Sequence, residues 1–293
     1  MFSRKADQNE TWNSRKGLRA GGWSAALASG SGLDYLRGHV GFYDDDPYSD
    51  LFFYNPSNGD RDIWFSDGSS DFDPGTIGDW SVTGYDIYPG HFNTDGLTDI
   101  LRYRKSDGER GLFYSNGDGS FAARDPQYST AWDAGYDLVA GDFDGDGDDD
   151  IFMYKSNGNR ILKINDDGSG HFSEVTIGGT SWPSGALPFA GNFKSPAGVI
   201  DLGNYTPSDG KVRTYESNGS GSFSIIRTDT FETGRVPYVG WFNGDFLTDL
   251  ILYKESNGDW TSRYSNGSSA WSSGESGDWG SARTLGVGDY QLS

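Results

Sequence analysis

Gly141-Asp142-Phe143-Asp144-Gly145-Asp146-Gly147-Asp148-Asp149-Asp150 sets acids at positions 1, 3, 5 and 9 of a D-x-D-x-D-G-x-x-D loop that begins at Asp142. Alternate residues of a tight loop can converge their oxygens, and Ca²⁺ takes about six to eight of them. Asp148 would add its backbone carbonyl, while Gly145 and Gly147 allow the sharp turn. Without a cation, carboxylates this close raise one another's pKa. Mg²⁺ fits less well, because it keeps several waters and few protein ligands. The ligands expected from this stretch are therefore Asp142, Asp144, Asp146, Asp148 and Asp150, with Ca²⁺ as the ion.

The stretch also opens a unit that recurs along the chain. Gly141-Asp142-Phe143 has counterparts in Gly38-His39-Val40, Gly90-His91-Phe92, Gly191-Asn192-Phe193, Gly240-Trp241-Phe242 and Gly288-Asp289-Tyr290, spaced 52, 51, 50, 49 and 48 residues apart. A period near fifty residues accommodates four short strands and their turns, the unit of a β-propeller. Within each unit an apolar run ending in Tyr follows the acidic loop, as in Leu51–Tyr54, Ile100–Tyr103, Ile151–Tyr154 and Leu250–Tyr253. Asn-Gly and Asp-Gly turns then separate further strands, a strong hairpin signal. Counting five whole units and one split unit predicts an all-β, six-bladed propeller of four-stranded antiparallel blades around a central channel. It is expected to be one domain over 1–293, closed by N- and C-terminal strands that share a blade built from 1–30 and 280–293. Such closure removes the open edges that sheets must otherwise manage.

The other loops are degenerate copies. Asn93, Asp95 and Asp99 keep three ligand positions, with His91 in place of the first acid. Asp44, Asp46 and Asp50, with Asp45, lie in a loop that this register makes about three residues longer. Both are expected to offer metal sites. Asn243, Asp245 and Asp249 survive beside Trp241, whereas Lys194-Ser195-Pro196-Ala197 has lost its acids. In degenerate loops Asp99, Asp201 and Asp249 can bond backbone amides and hold the turn.

Charge and composition narrow the function. A formal net charge of -20 and a pI near 4.3 exclude the basic footprint that non-specific nucleic-acid binding requires. They also disfavour adsorption to anionic membranes, and the sequence has no stretch long and apolar enough for membrane insertion. The chain has no cysteine, so disulfides do not contribute to its stability. Met1-Phe2-Ser3-Arg4-Lys5 is not the apolar core of a leader, so an exported chain would already have lost one.

Gly-Asp-Phe-Asp-Gly-Asp-Gly-x-x-Asp at 141–150, followed by a hydrophobic strand, resembles the FG-GAP/VCBS repeat. That repeat is found in integrin α-chain propellers, in secreted bacterial proteins and in fungal lectins of the Psathyrella velutina type. As a period the resemblance spans nearly the whole chain, but the full calcium signature occurs only at Asp142–Asp150. It implies a secreted, extracellular propeller with calcium in loops between first and second strands. In the lectin branch it implies sugar pockets between neighbouring blades.

Strand order sorts the turns onto two faces. The acidic loops share one face with the turns between third and fourth strands. Linkers between blades fall on the other face, which collects Trp80, Tyr85, Asp86, Trp132, Tyr136, Asp137, Trp182 and Trp279. Flat aromatics beside polar groups suit pyranose rings, so these are the expected carbohydrate-binding residues. Repetition would give several weak sites and a gain in avidity. The alternative for each Trp is a structural wedge between blades. No catalytic set stands out: His39, His91 and His171 occupy repeat-equivalent or turn positions, His39 and His91 being read as the same one. Zinc-ligand spacing and a nucleophile elbow are both missing. The expected function is non-catalytic recognition of glycans or glycoproteins by a multivalent lectin or adhesin. A protein-binding scaffold within a larger assembly comes next, and a polysaccharide-acting enzyme last.

Overall fold

The computed structural model describes residues 37–68, 72–123, 130–179, 182–195, 198–267, 270–280 and 287–288. These form five antiparallel four-stranded blades. Blade 1 is β1 (Arg37–Gly41), β2 (Asp50–Tyr54), β3 (Asp60–Ser66) and β4 (Phe72–Asp79). Blade 2 is β5 (Asp86–Gly90), β6 (Asp99–Tyr103), β7 (Arg110–Ser115) and β8 (Phe121–Ala123). Blade 3 is β9 (Asp137–Gly141), β10 (Asp150–Tyr154), β11 (Arg160–Ile164) and β12 (Ser173–Val175). A short β13 (Gly178–Gly179) pairs in parallel with the outer strand of the next blade. Blade 4 is β14 (Leu187–Gly191), β15 (Asp201–Thr206), β16 (Lys211–Ser217) and β17 (Ser222–Thr230). Blade 5 is β18 (Val236–Gly240), β19 (Asp249–Tyr253), β20 (Asp259–Tyr264) and β21 (Ser272–Asp278).

Composition follows position in the blade. The second strands are covered on both faces, so β2 (DLFFY) and β10 (DIFMY) are buried at every residue. Their apolar side chains alternate between the two sides of the blade, and both sides lie against protein. The outermost β21 (SSGESGD) is almost wholly exposed and carries no large apolar side chain.

The count of blades corrects the expectation of six. Val287–Gly288 (β22) does not begin another blade but pairs in parallel with β1, at His39 and Val40. Residues 1–30, which were to supply most of the split blade, lie outside the described residues. The error began at Gly38. Each first strand ends at a glycine paired with the loop's last Asp, and in blade 1 that pair is Gly41↔Asp50. The same pairing joins Gly90 to Asp99, Gly141 to Asp150, Gly191 to Asp201 and Gly240 to Asp249. Gly38-His39-Val40 resembles the marker but lies inside β1. With Gly41 as the marker, the Asp44–Asp50 loop matches Asp144–Asp150 in length and is not longer. His39 and His91 are therefore not equivalent positions.

Two compact units emerge, one holding blades 1 and 2 with Val287–Gly288, the other holding Phe92–Thr94 and blades 3 to 5. Each is laced by hydrogen bonds that recur with the period. The Tyr at or next to the end of each second strand is fully buried, and its hydroxyl donates to a carbonyl of the linker leaving its own blade. The pairs are Tyr54 to Val82, Tyr103 to Asp133, Tyr154 to Pro183, Tyr205 to Glu232 and Tyr253 to Gly280. A second set joins one blade to the one before it. Ser115 Oγ donates to the Tyr43 carbonyl in the first unit. In the second unit Asn165 Nδ2 donates to Phe92, Ser217 Oγ to Phe143 and Ser265 Oγ to Phe193.

Candidate functional site

The acidic loops leave β1, β5, β9, β14 and β18 and are shaped by one repeated device. The last Asp of the loop turns back to receive two backbone N–H groups. Asp150 Oδ2 accepts from Phe143 (2.9 Å) and Oδ1 from Asn165 (2.8 Å). Asp50 accepts from Tyr43 and Ser66, Asp201 from Phe193 and Ser217, and Asp249 from Phe242 and Ser265. Asp99 accepts from Ser115. These carboxylates bracket the loop to the end of the third strand. Burial raises the pKa of four of them, to about 7 at Asp50, about 8 at Asp150 and about 6 at Asp201 and Asp249. At Asp50 and Asp150 nearby loop carboxylates push the same way.

Ahead of that bracket, several Asp and Asn residues receive the N–H two residues on, and Asp142 those of Gly145 and Gly147, which winds the chain into successive tight turns. In blade 3, Asp144 accepts from Asp146 and Asp146 from Asp148; in blade 1, Asp44 accepts from Asp46 and Asp46 from Tyr48. Asp95 accepts from Leu97, and Asp245 from Leu247. The winding points carboxylates inward. Among the described residues, two groups of three converge with oxygens within 4.8 Å of one another: Asp142, Asp144 and Asp146, and Asp44, Asp46 and Asp50. Burial, aided by mutual repulsion, holds the pKa of Asp142, Asp144 and Asp44 above the usual carboxylate range. A hard, oxygen-only, multiply acidic donor set of this kind fits Ca²⁺. Asp148 is buried beside Gly168 and is also pushed up by burial. Asn93, Asp95 and Asp99 lie in the equivalent blade 2 loop.

The linker face is built differently. Trp80 stacks on Phe113 of blade 2 (4.9 Å, 22°), and Trp182 on Tyr215 of blade 4 (5.3 Å, 20°). Trp279 stacks on Trp260 of its own blade (4.6 Å, 22°). Trp132 is half-buried, with the Arg110 guanidinium 4.3 Å from its ring. Trp182, Tyr85 and Tyr136 are buried, and Trp80, Asp86, Asp137 and Trp279 are half-buried. The structure thus gathers Trp80 and Tyr85 at the seam between blades 1 and 2. Trp182 lies at the seam between blades 3 and 4. The basic side chains among these rings, Arg61, Arg102 and Arg110, were not singled out from sequence. Superposing the repeats reveals one of them, because Arg102 stands where the other second strands carry the uncharged Phe53, Met153, Asn204 and Leu252.

Residues 91–153 match the family model of the FG-GAP-like repeat. No curated protein matches the chain. Among solved structures, a lectin of Agrocybe aegerita that recognises non-reducing terminal N-acetylglucosamine is similar at 17% identity and a TM-score of 0.56. That match covers 85% of this chain and 66% of the lectin chain. A chain of the Photorhabdus luminescens Tc holotoxin pore is similar at 16% identity and a TM-score of 0.52, over 83% of this chain and 12% of that one. A Lactobacillus plantarum protein is similar at 12% identity and a TM-score of 0.52, over 79% of this chain and 68% of its own. At these identities the likeness is one of fold.

Proposed function

We propose that this FG-GAP-like repeat β-propeller is a non-catalytic, calcium-loaded protein that binds extracellular carbohydrate at several aromatic sites of its blade linkers. The observation that carries the reading is the linker face, where Trp80, Trp132 and Trp279 are half-buried and sit beside polar groups. An aromatic plane next to hydrogen-bonding side chains is what a pyranose needs. Fold similarity to a lectin supports the reading without carrying its sugar across. The calcium assignment rests on the two converging Asp groups. On this reading the loops brace the blades, and the opposite face meets glycans or glycoproteins. The test is a glycan array probed with wild type and Trp132→Ala, each in calcium. Binding that falls at least tenfold in the variant supports the reading, and silence across all glycans sinks it.

A second reading, a protein-binding scaffold in a larger assembly, is favoured by one feature. Phe242 and Phe246 are exposed (36% and 53%) on the acidic-loop face of blade 5, with Trp241 packed edge-on against Phe246. Exposed aromatic clusters mark interaction surfaces. Loss of partner capture in Phe246→Ser, with glycan binding intact, would favour this reading.

A further inference from the structure

Two arginines at the seam between blades 1 and 2 make no salt bridge among the described residues, in a chain of net charge -20, and only Glu109 acts at a distance on Arg102. Arg61 lies on β3 and Arg102 on β6, and their guanidinium carbons stand 5.4 and 6.0 Å from the centre of the Trp80 ring. Arg102 also lies 4.7 Å from the Tyr85 ring and 4.8 Å from Phe113. Buried Nε and Nη1 of Arg61 and buried Nε of Arg102 make no hydrogen bond. The other arginines here are answered: Arg104 by Asp107 and Glu109, and Arg110 by the Thr130 carbonyl. A guanidinium is always charged, so leaving its donors bare in a buried place is costly.

The backbone is cut to hold these two groups. Arg61 pairs across the sheet with Gly78, and Arg102 with Gly111. A methyl group on Gly78 would come within 2.8 Å of Arg61 Nη2, and one on Gly111 within 3.1 Å of Arg102 Nε. Each guanidinium therefore occupies the space of a missing side chain on the neighbouring strand. The equivalent positions carry Phe53, Met153, Asn204 and Leu252, none of them charged, so the fold itself does not require a charge at that position. Burial lowers the pKa of both, with no carboxylate among the causes for Arg61.

We infer that Arg61 and Arg102, beside Trp80 and Tyr85, form an oxyanion subsite for a carboxylate- or sulfate-bearing sugar. This rests on the carbohydrate reading above and narrows it. Arginine forks match planar carboxylates and tetrahedral sulfate bidentately, and the flanking rings supply a surface for the sugar body.

The test uses the full chain in calcium, with wild type, Arg102→Met and Arg61→Gln. Methionine is the residue already present at the equivalent Met153, so the first variant should fold. Binding of glucuronic-acid-terminated and sulfated oligosaccharides is titrated beside their neutral counterparts, and thermal shift is read with inorganic sulfate. Wild type should bind the acidic sugars at least tenfold tighter than the neutral ones, with the advantage shrinking at high salt. Arg102→Met should erase the advantage and spare neutral binding. Neutral binding without acidic preference, or an undiminished preference in Arg102→Met, overturns the subsite and leaves the lectin reading standing. Sulfate stabilisation that vanishes in Arg102→Met, with no glycan bound, supports the anion site and overturns the lectin reading instead.

Discussion

Asp201 accepts the backbone N–H of Ser217 at 3.1 Å, closing a bracket across sixteen residues in the one loop whose other acids are gone. Burial raises its pKa to about 6, against the pull of its backbone hydrogen bonds, so the folded protein binds this proton more tightly than the unfolded chain does. Its contribution is full below about pH 4 and is lost as pH rises through about 6. A shift of this size corresponds to about 2–3 kcal/mol. Asp201→Asn should therefore flatten the difference in unfolding free energy between pH 4 and pH 7 by that order. Denaturant melts of both proteins at both pH values check it, and equal differences would count against the assignment.

Chelation should weaken the fold. A cation that binds only the folded loops adds about 2.7 kcal/mol at a hundredfold excess over its dissociation constant. For a chain of this size that corresponds to roughly 5–10 °C in melting temperature. Melting in calcium and in EDTA measures the effect, and Asp144→Asn with Asp146→Asn should remove the share that the blade 3 loop contributes. A melt indifferent to EDTA would refute a structural ion.

The linker tryptophans should separate by burial. Trp182 is 5% exposed and packs on Phe152, Tyr154 and Tyr215, so Trp182→Ala should cost about 3–5 kcal/mol. Trp132→Ala, at a half-buried site, should cost about 1–2 kcal/mol and act chiefly on glycan binding. Urea unfolding of the two variants decides it, and equal losses would contradict the packing described.

Phe246 has a φ of 63°, a left-handed backbone that suits glycine. In blade 3 the equivalent position is Gly147, with a φ of 98°. Phe246→Gly should be neutral or stabilising by up to about 1 kcal/mol, unusual for removing an aromatic. A clear fall in melting temperature would show that its contact with Trp241 outweighs the strain.

The repeat was legible because glycine, acid and tyrosine each do one job at one offset. Gly141, Asp150 and Tyr154 are needed in every blade, so they recur. The blade count was not legible, because Gly38-His39-Val40 imitates the marker while the pairing partner of Asp50 is Gly41. A strand end is fixed by its neighbour, and the neighbour is not written in the local sequence. The same holds for the linker face. Strand order placed Trp80 and Trp182 on it, but their exposure depends on Phe113 and Tyr215, each 33 residues further along and in the next blade. Arg102 escaped notice for the opposite reason, since one basic residue in a polar chain carries no signal until it is laid against the uncharged Phe53, Met153, Asn204 and Leu252.

Phe143 lies between Asp142 and Asp144, and its carbonyl receives Ser217 Oγ of blade 4 at 2.9 Å. Whatever firms the Asp142–Asp146 turn therefore firms the joint to the following blade as well. An ion taken up there would be registered one blade downstream, as slower amide exchange at Ser217 and its neighbours, without itself touching them.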